Sequence, residues 1–268
     1  MAGTDGRRSG PRPRLLASDI DGTLIDWGGH PSPAVRRAIA AVRASGVHVV
    51  LATGRSPWHD LHEIAGAVGL SGPQITLQGA LVADPSDGRV VRAQRIDADR
   101  LDAILAFAAE LGVTASVATT DGYRVIRGTG AAAREGLAGT TPVRVFLPST
   151  PADHPALRRE AATRLGDRVA ITWGDESGID LLHPATDKGE ALTWLAGELG
   201  IPMAEVAAVG DAANDRGMLT AAGSSVAMAD AIPEVRAAAD IVVRGPHEDG
   251  LVDAIAWLFP DLADAVGR

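Results

Sequence analysis

The amino-acid sequence predicts an α/β fold: a doubly wound, mostly parallel, Rossmann-like core sheet with an inserted α+β domain. Near both ends of the chain, short apolar runs alternate with segments of helical periodicity. Several of these runs stop abruptly at Asp, Thr or Gly, which is typical of buried strands that lead into loops. The middle of the chain instead shows hairpins mixed with helices, and this change of pattern indicates an insertion.

The first part of the core is expected to have strands and helices in β-α-β-α-β order. Ser32 is a suitable N-cap for the first helix, Pro33 fits its first turn, and Gly46 ends it. The second helix is expected over residues 57–68, before Gly69. The predicted strands cover residues 14–18, 47–52 and 74–77.

The pattern changes after the third strand and returns near Lys188. Two hairpins are predicted around the turns at 85–88 and 120–122. A helix near 98–111 lies between them. A strand near 143–146, a helix near 156–165 and strands near 169–173 and 178–182 follow the second hairpin. The returning alternation starts with a helix over 188–199 and has strands at 206–209, 226–228 and 241–243.

These patterns divide the chain into three predicted parts. Residues 1–13 are rich in Pro, Gly and Arg and are expected to form a flexible tail. Residues 14–81 and 183–268 are expected to form one α/β core from two separate stretches of chain. Residues 82–182 are expected to form the inserted α+β domain between them.

Composition excludes several classes of function. The 268-residue chain has a net charge of −9, so it lacks the basic field that nucleic-acid binding requires. It has no cysteine, which rules out disulfides, zinc–thiolate sites and a cysteine nucleophile. No apolar run approaches the roughly 18 residues that a membrane span needs, and the apolar stretch after Arg14 is too short for a signal peptide. The protein is therefore expected to be cytoplasmic, without nucleic-acid or membrane partners, and a monomer or homodimer.

Polar side chains follow three of the predicted core strands. Asp19 and Asp21 come directly after the first strand, Thr53 follows the second, and Asp211 follows the strand at 206–209. In an open α/β sheet, ligands bind beyond the carboxyl ends of the strands. Turn formation explains any one of these residues alone, but it explains three at one sheet edge poorly. Carboxylates brought together in this way are hard oxygen ligands suited to Mg²⁺.

Lysine is almost absent from the chain. Of its 25 basic residues, Lys188 is the only lysine. A solvated residue at the start of a helix is the ordinary interpretation of such a position. A site that needs a compact ammonium group, where a planar guanidinium does not fit, is the alternative.

Four ordered segments contain the polar residues singled out above. They are Asp19-Ile20-Asp21-Gly22-Thr23-Leu24, Thr53-Gly54-Arg55, Lys188-Gly189-Glu190-Ala191-Leu192 and Gly210-Asp211-Ala212-Ala213-Asn214-Asp215. These segments resemble the four motifs of the haloacid dehalogenase-like phosphatases. The last two, with Met218-Leu219 after them, are similar to the Cof-type branch, which carries a large α/β cap after the third core strand.

The resemblance implies catalytic roles for three residues. Asp19 would be the nucleophile that forms an aspartyl-phosphate. Asp21 would act as general acid and then as general base. Lys188 would neutralise the charge that develops between Asp19 and the phosphate.

It also implies binding roles. Mg²⁺ would be held by Asp19, by the main-chain carbonyl of Asp21 and by Asp211, while Asp215 would support the metal shell. The substrate phosphate would be bound by a second set of residues: Thr53, the Gly54 amide, Lys188 and Asn214. The chain would then be a Mg²⁺-dependent phosphomonoester hydrolase acting on a small phosphorylated metabolite, best represented by a sugar phosphate. A phosphosugar mutase and a catalytically silent phosphate-binding protein are the alternatives.

Two positions depart from the family pattern. Several residues of the inserted hairpins are further candidates for substrate contacts. Gln78 stands where such proteins usually have Asn, and Asp230 stands at another usual Asn position. Both loops would lie near the mouth of the site, so substrate contacts at these positions are in doubt. The residues of the inserted hairpins that could face a substrate are Arg89, Arg92, Tyr123, Arg124 and Arg127.

Overall fold

A computed structural model describes residues 10–26 and 28–266 of the chain. Most of the predicted tail, residues 1–9, lies outside the described residues. The strands are Leu15–Ser18 (β1), His48–Leu51 (β2), Gln74–Thr76 (β3), Leu81–Ala83 (β4), Val90–Ala93 (β5), Ala115–Thr119 (β6), Gly122–Ile126 (β7), Pro142–Pro148 (β8), Ala170–Thr172 (β9), Gly178–Leu182 (β10), Val206–Gly210 (β11), Ser224–Met228 (β12) and Ile241–Val243 (β13). The helices are Pro33–Ala44 (α1), Leu61–Ala67 (α2), Ala98–Glu110 (α3), Gly130–Gly136 (α4), His154–Leu165 (α5), Lys188–Glu198 (α6), Arg216–Ala221 (α7), Pro233–Ala238 (α8), Gly250–Leu258 (α9) and Ala263–Val266 (α10).

The core sheet has five parallel strands in the order β13-β12-β11-β1-β2. The first strand of the chain lies between β2 and β11, so strands from both predicted stretches of the core become direct neighbours. Leu15 pairs with His48 on one side and with Val206 on the other. The strand order therefore reverses at β1, and this reversal is the position at which doubly wound sheets bind their ligands.

Buried side chains cover both faces of this sheet. Alternate residues of β1 point to opposite faces, because the side-chain period of a strand is two. Leu16 packs with residues of α1, α2 and α9, whereas Leu15 and Ala17 pack with residues of α6, α7 and α8. A sheet with helices on both faces confirms the predicted doubly wound α/β fold.

A second sheet lies in the middle of the chain. Its five strands are antiparallel in the order β7-β6-β8-β10-β9. Helices α3 and α5 pack on one face of it around a separate apolar core that includes Phe107, Val117 and Val145. This mixture of hairpins and helices has the predicted α+β character.

The hairpin predicted around residues 85–88 joins β4 to β5, and β4 pairs with β3 on its other side. Ala52 and Ile75 form a parallel bridge that connects this three-stranded sheet to the core strands. The first hairpin of the expected inserted domain therefore lies beside the core strands, outside the second five-stranded sheet. The domain boundaries at residues 82 and 182 remain predictions.

Helix α2 is shorter than the sequence indicates. It begins at Leu61 rather than near residue 57, and the preceding residues form turns. The Ser56 hydroxyl lies 2.6 Å from Nδ1 of His59, and Arg55 pairs with Asp60. Side-chain hydrogen bonds of this local kind compete with helical backbone bonds and delay the start of the helix.

Within the described ranges, none of the helices combines the length and the apolar character that crossing a membrane would require.

Candidate active site

The carboxyl ends of three adjacent core strands bring the predicted polar residues together. Asp19 directly follows β1, Thr53 is the second residue after β2, and Asp211 directly follows β11. The backbone continues the strand pairing at this edge, since the Asp19 amide donates to the Val209 carbonyl at 3.0 Å. Asp19 is only 5% exposed and Thr53 only 1%, so both side chains lie at the bottom of a pocket.

Lys188 joins two acidic residues of this site. Its Nζ donates to Oδ1 of Asp19 at 2.6 Å and to Oδ1 of Asp215 at 2.6 Å. The Lys188 side chain is fully buried at the first position of α6. Asp187 caps this helix by accepting a hydrogen bond from the Glu190 amide, which fixes the direction in which Lys188 leaves the backbone.

The charges in this cluster shift one another's protonation. Burial would lower the pKa of Lys188, but the carboxylates of Asp19 and Asp215 outweigh it and raise that pKa above its ordinary value. Burial and the neighbouring charge of Asp215 raise the pKa of Asp19 well above its ordinary value, and they raise the pKa of Asp211 to about 7. The cluster therefore holds more negative charge than one ammonium group can balance, which favours a bound cation.

Three carboxylates lie close enough together here to hold a divalent metal ion. One oxygen from each of Asp19, Asp211 and Asp215 lies within 4.8 Å of the others. Both oxygens of Asp215 are already engaged, since Oδ1 accepts from Lys188 and Oδ2 accepts from the amides of Asp211 and Ala212. Asp19 and Asp211 thus remain the better direct ligands, and Asp215 supports them. This donor set consists of hard oxygens and fits Mg²⁺.

The Asp21 side chain lies in the same cavity but outside the carboxylate cluster. Arg55 holds it through two hydrogen bonds, from Nε at 2.7 Å and from Nη2 at 2.6 Å. The hydrogen bonds to Asp21 are the main reason why the pKa of Arg55 is raised. The ligation of a metal by the Asp21 main-chain carbonyl stays a prediction.

Three of the predicted phosphate-binding residues, Thr53, Gly54 and Asn214, line the same cavity as Asp19. The fourth, Lys188, is fully buried and bonded to Asp19. The Thr53 hydroxyl accepts from the Arg55 amide at 3.1 Å, and Gly54 lies beside Gln78. A Cβ at position 54 would lie 2.6 Å from the Gln78 amide nitrogen, so a larger residue there would displace the Gln78 amide. Asn214 donates to Oε1 of Gln78 at 2.8 Å. The structure gathers these residues, while their contacts with phosphate remain predictions.

Gln78 connects the core to the inserted segment. Its backbone has a φ of 63°, a left-handed conformation that is uncommon for residues other than Gly, Asn and Asp. Its Nε2 donates to Oδ2 of Asp180 on β10 at 2.8 Å. The departure from Asn noted in the sequence therefore places a longer amide between Asn214 and Asp180. Asp230 does not line this cavity, although its charge acts on Asp211.

The upper part of the cavity is formed by residues of the second sheet. The side chains that line it there include those of Arg144, Phe146, Trp173 and Asp180. Sequence reasoning missed these residues and instead proposed basic residues of the hairpins. Arg92 in fact pairs with Glu190, and Arg124 pairs with Asp121.

The sequence pattern of strand β8 could have identified two of these cavity residues. Its buried residues alternate with partly exposed ones, so Arg144 and Phe146 share the face opposite to Val143 and Val145. A charged residue and an aromatic residue on the face that points away from an apolar core are candidates for a binding surface.

Comparison with known proteins places the chain in a family. The haloacid dehalogenase-like hydrolase family matches residues 16–141 and 134–255. Phosphatase YwpJ of Bacillus subtilis is 27% identical, over 92% of this chain and 100% of that protein. Phosphoglycolate phosphatase of Methanothermobacter thermautotrophicus is 28% identical, over 90% of this chain and 97% of that protein.

A solved structure supports the fold. A sugar phosphatase of subclass IIB of the haloacid dehalogenase superfamily superimposes with a TM-score of 0.78 and 22% identity, over 90% of this chain and 97% of that one. At this identity the likeness concerns the fold alone. The matched family, the phosphatases among its relatives and the shared architecture agree with the four motifs. The chain belongs to the haloacid dehalogenase-like hydrolases and is a phosphatase of that family.

Proposed function

We propose that the protein is a Mg²⁺-dependent phosphomonoester hydrolase that acts on a small phosphorylated metabolite, best represented by a sugar phosphate. One observation carries the proposal: the buried carboxylate of Asp19 lies at the bottom of a cavity, 2.6 Å from the ammonium of a fully buried lysine. A carboxylate in this position can attack a phosphorus atom, and the cation beside it offsets the negative charge of both partners.

The first half of the reaction transfers the phosphoryl group to the protein. An oxygen of Asp19 forms a bond to phosphorus while the bond to the leaving-group oxygen breaks. Asp21 donates a proton to that oxygen, so an alcohol leaves and an aspartyl-phosphate remains. Each Asp21 oxygen accepts one hydrogen bond from Arg55, which fixes the orientation of this carboxyl group in the cavity.

The second half releases the phosphate. Asp21 accepts a proton from a water molecule, whose oxygen bonds to phosphorus as the bond to Asp19 breaks. Inorganic phosphate leaves and both carboxyl groups return to their starting state. Asp19 and Asp211 would hold Mg²⁺, which when bound screens the nucleophile from the negative phosphate oxygens.

The size of the cavity supports a small substrate. It has a volume of about 270 Å³, and residues of the second sheet cover it from above. This volume suits a phosphate with a compact leaving group and is too small for a macromolecular chain. One relative is a phosphoglycolate phosphatase and a protein of the same fold is a sugar phosphatase, which agrees with small phosphate esters as a class. A cytoplasmic location and a monomeric or homodimeric state remain predictions.

The test is hydrolysis of para-nitrophenyl phosphate. We expect the purified protein to release phosphate with Mg²⁺, to stop when EDTA is added, and to recover when Mg²⁺ is restored. Asp19→Asn is expected to lower turnover by at least about 10³-fold, since it removes the nucleophile. Asp167→Asn, which changes an exposed carboxylate of the second half of the inserted segment, serves as the control.

Four results would contradict the proposal. Normal hydrolysis by Asp19→Asn would exclude the covalent route. Full activity in EDTA would exclude the metal requirement. Activity that needs a bisphosphate activator and conserves total ester phosphate would identify a mutase, and binding of phosphate esters without any turnover would identify a silent binding protein.

A further inference from the structure

A second cavity lies between helix α5 and the edge of the second sheet, and we call it the α5 cavity. Strand β9 is at the end of that sheet, and within the described residues no further strand pairs with its outer side. The cavity has a volume of about 330 Å³, compared with about 270 Å³ for the catalytic cavity. A cavity of this size can hold a small organic molecule. It is lined by Pro155, Arg158, Arg159, Ala162, Ile171 and Trp173.

Helix α5 presents a cationic side to this cavity. Residues 155, 158, 159 and 162 have the spacing i, i+3, i+4 and i+7, so they form one stripe along the helix. The buried residues of the helix, such as Leu157 and Ala161, form a neighbouring stripe that packs in the apolar core. The cavity stripe instead carries Arg158 and Arg159, opposite the apolar side chain of Ile171 in β9. One wall of the cavity is therefore cationic and the other apolar.

Neither arginine of the cavity is balanced by an acid. Among the described residues, no carboxylate lies within ion-pair distance of Arg158 or Arg159, and the adjacent Glu160 pairs with Arg164. The described lining of the cavity contains no acidic residue. By contrast, both guanidinium groups that line the catalytic cavity are paired with acids. In a chain with a net charge of −9, two unpaired guanidinium groups in one cavity favour an anionic ligand.

Trp173 supports one of these guanidinium groups. The Cζ of Arg158 lies 3.4 Å from the centre of the Trp173 ring, which is a stacking distance. His154 holds the same ring by an edge contact, with the two ring centres 5.8 Å apart. A guanidinium that rests on an indole ring keeps its donors at its edge, and such a group also stacks with flat rings of ligands. The cavity thus suits a flat ring that carries an anionic group.

Trp173 also lines the catalytic cavity, and it is the one described residue that the two linings share. A ligand that moves this ring from the α5 side alters a wall of the catalytic cavity. A bound anion also adds negative charge beside a cavity that has to receive a phosphate. The two sites are therefore expected to weaken each other's anions, and by thermodynamic linkage the factor is the same in both directions.

We propose that the α5 cavity is a second ligand site, which binds a small organic anion with a flat ring and weakens anion binding in the catalytic cavity through Trp173. Arg159 binds the anionic group, Arg158 stacks with the ring, and Ile171 contacts its apolar edge. Nucleotides and aromatic acids share this chemistry. Binding in the α5 cavity stands apart from the proposed function, whereas its effect on the catalytic cavity rests on that function.

The first experiment measures binding to the full-length protein by calorimetry in EDTA, because without a metal the catalytic carboxylates repel anions. Adenosine monophosphate and naphthalene-1-sulfonate have both a ring and an anionic group, adenosine lacks the anion, and inorganic phosphate lacks the ring. At least one of the two complete probes is expected to bind about tenfold or more tightly than adenosine and phosphate. The tighter of them tells whether the site fits a nucleotide or an aromatic acid. Equal or absent binding of all four compounds would overturn the inference.

Two exposed positions of the cavity provide variants. Arg159→Ser is expected to weaken binding of the tighter probe by at least about fivefold, since it removes a charged hydrogen-bond donor. Ala162→Trp is expected to weaken it as well by filling the cavity, with no change of charge. Urea unfolding with the midpoint of the wild type shows that each variant is folded. Arg127→Ser, which removes an exposed arginine outside the cavity, is the control and should bind the probe normally. Unchanged binding in both cavity variants would show that the probe binds elsewhere and would overturn the inference.

The second experiment repeats the titration with Mg²⁺ and orthovanadate, which is expected to occupy the catalytic cavity. The Kd of the probe should rise by at least about twofold and then stay constant as vanadate increases, because two separate sites are coupled by a finite factor. A Kd that rises in proportion to vanadate would mean one shared site and would overturn the inference, as would a Kd that bound vanadate does not change. Failure of vanadate to bind with Mg²⁺ would overturn the proposed function and the effect on the catalytic cavity, while probe binding in EDTA would still support the second site.

Discussion

Lys188 is the one position at which this arginine-rich sequence has a lysine. The chain uses arginine at its other basic positions, yet a lysine lies between Asp19 and Asp215. The space there is closed on all sides, since Lys188 is 0% exposed. An ammonium group is compact and donates in three directions, so it can bond two carboxylates from one buried point. A guanidinium is planar and larger, and its donors lie in one plane.

At this residue we predict that size matters as much as charge. Lys188→Arg is expected to lower the free energy of unfolding by about 1–3 kcal/mol through overpacking. It is also expected to reduce kcat for para-nitrophenyl phosphate by at least about 100-fold, because the cation no longer lies between Asp19 and the phosphate. Urea denaturation and steady-state kinetics measure the two effects. Arg159→Lys, at an exposed position, is the control, and near-normal kcat in Lys188→Arg would show that charge alone suffices.

At the scale of elements, glycines set how closely α6 approaches its neighbours. A Cβ at Gly189 would collide with the backbone of Gly217 in α7. A Cβ at Gly79 would likewise collide with the Asp187 carbonyl, just before α6 begins. The first turn of α6 is therefore packed backbone against backbone. This close packing holds Lys188 at the carboxyl edge of the sheet, where Asp19 follows β1.

Two glycines of α6 provide a matched pair of substitutions. Gly197→Ala is expected to stabilise the protein by about 0.5–1 kcal/mol, because alanine favours helix and the new Cβ would have no neighbour within 4 Å beyond the adjacent residues and backbone of its own helix. Gly189→Ala carries the same helical advantage but forces α6 and α7 apart, so we expect a net loss of about 1–3 kcal/mol. Chemical denaturation of both variants measures the difference. Equal stabilisation by the two substitutions would mean that the helices can separate freely.

At the scale of the whole molecule, the active site lies between two sheets of different origin. The parallel sheet supplies Asp19 and Thr53, and the antiparallel sheet supplies Arg144 and Asp180. A small apolar cluster that includes Leu81, Val143 and Leu182 also joins the two parts. A ligand in the cavity would therefore contact both sheets at once, and its binding energy would add to the stability of their arrangement.

We predict that this arrangement is stabilised by ligand and metal together. Orthovanadate, a phosphate analogue, at 100 times its Kd should raise the free energy of unfolding by about 2.7 kcal/mol in the presence of Mg²⁺. The gain should disappear with EDTA, because the carboxylate cluster would then repel the anion. Tryptophan fluorescence during urea unfolding measures it. Stabilisation by vanadate that persists without any divalent metal would contradict the predicted role of Asp19 and Asp211 as ligands.

Much of the core of the site could be predicted because its residues follow strand ends in order. The proximity of Asp19, Thr53 and Asp211 follows from the rule that parallel strands end at a common edge of the sheet. The contacts of Arg55 with Asp21 could not be predicted, since they depend on side-chain directions in two separate loops. Asp180 and Arg144 were missed for a related reason: their proximity depends on the register between β8 and β10, which local patterns do not specify.

The isolation of Lys188 has a further consequence for regulation. It carries the only side-chain amine of this sequence, and that amine is buried and held by two carboxylates. Acetylation, ubiquitin attachment and amine-directed crosslinking all need an accessible lysine. Their one lysine target on this chain lies inside the proposed catalytic centre. Cellular control of the protein through lysine chemistry would therefore have to open this site first, and, with the role proposed for Lys188, it would abolish the reaction in the same step.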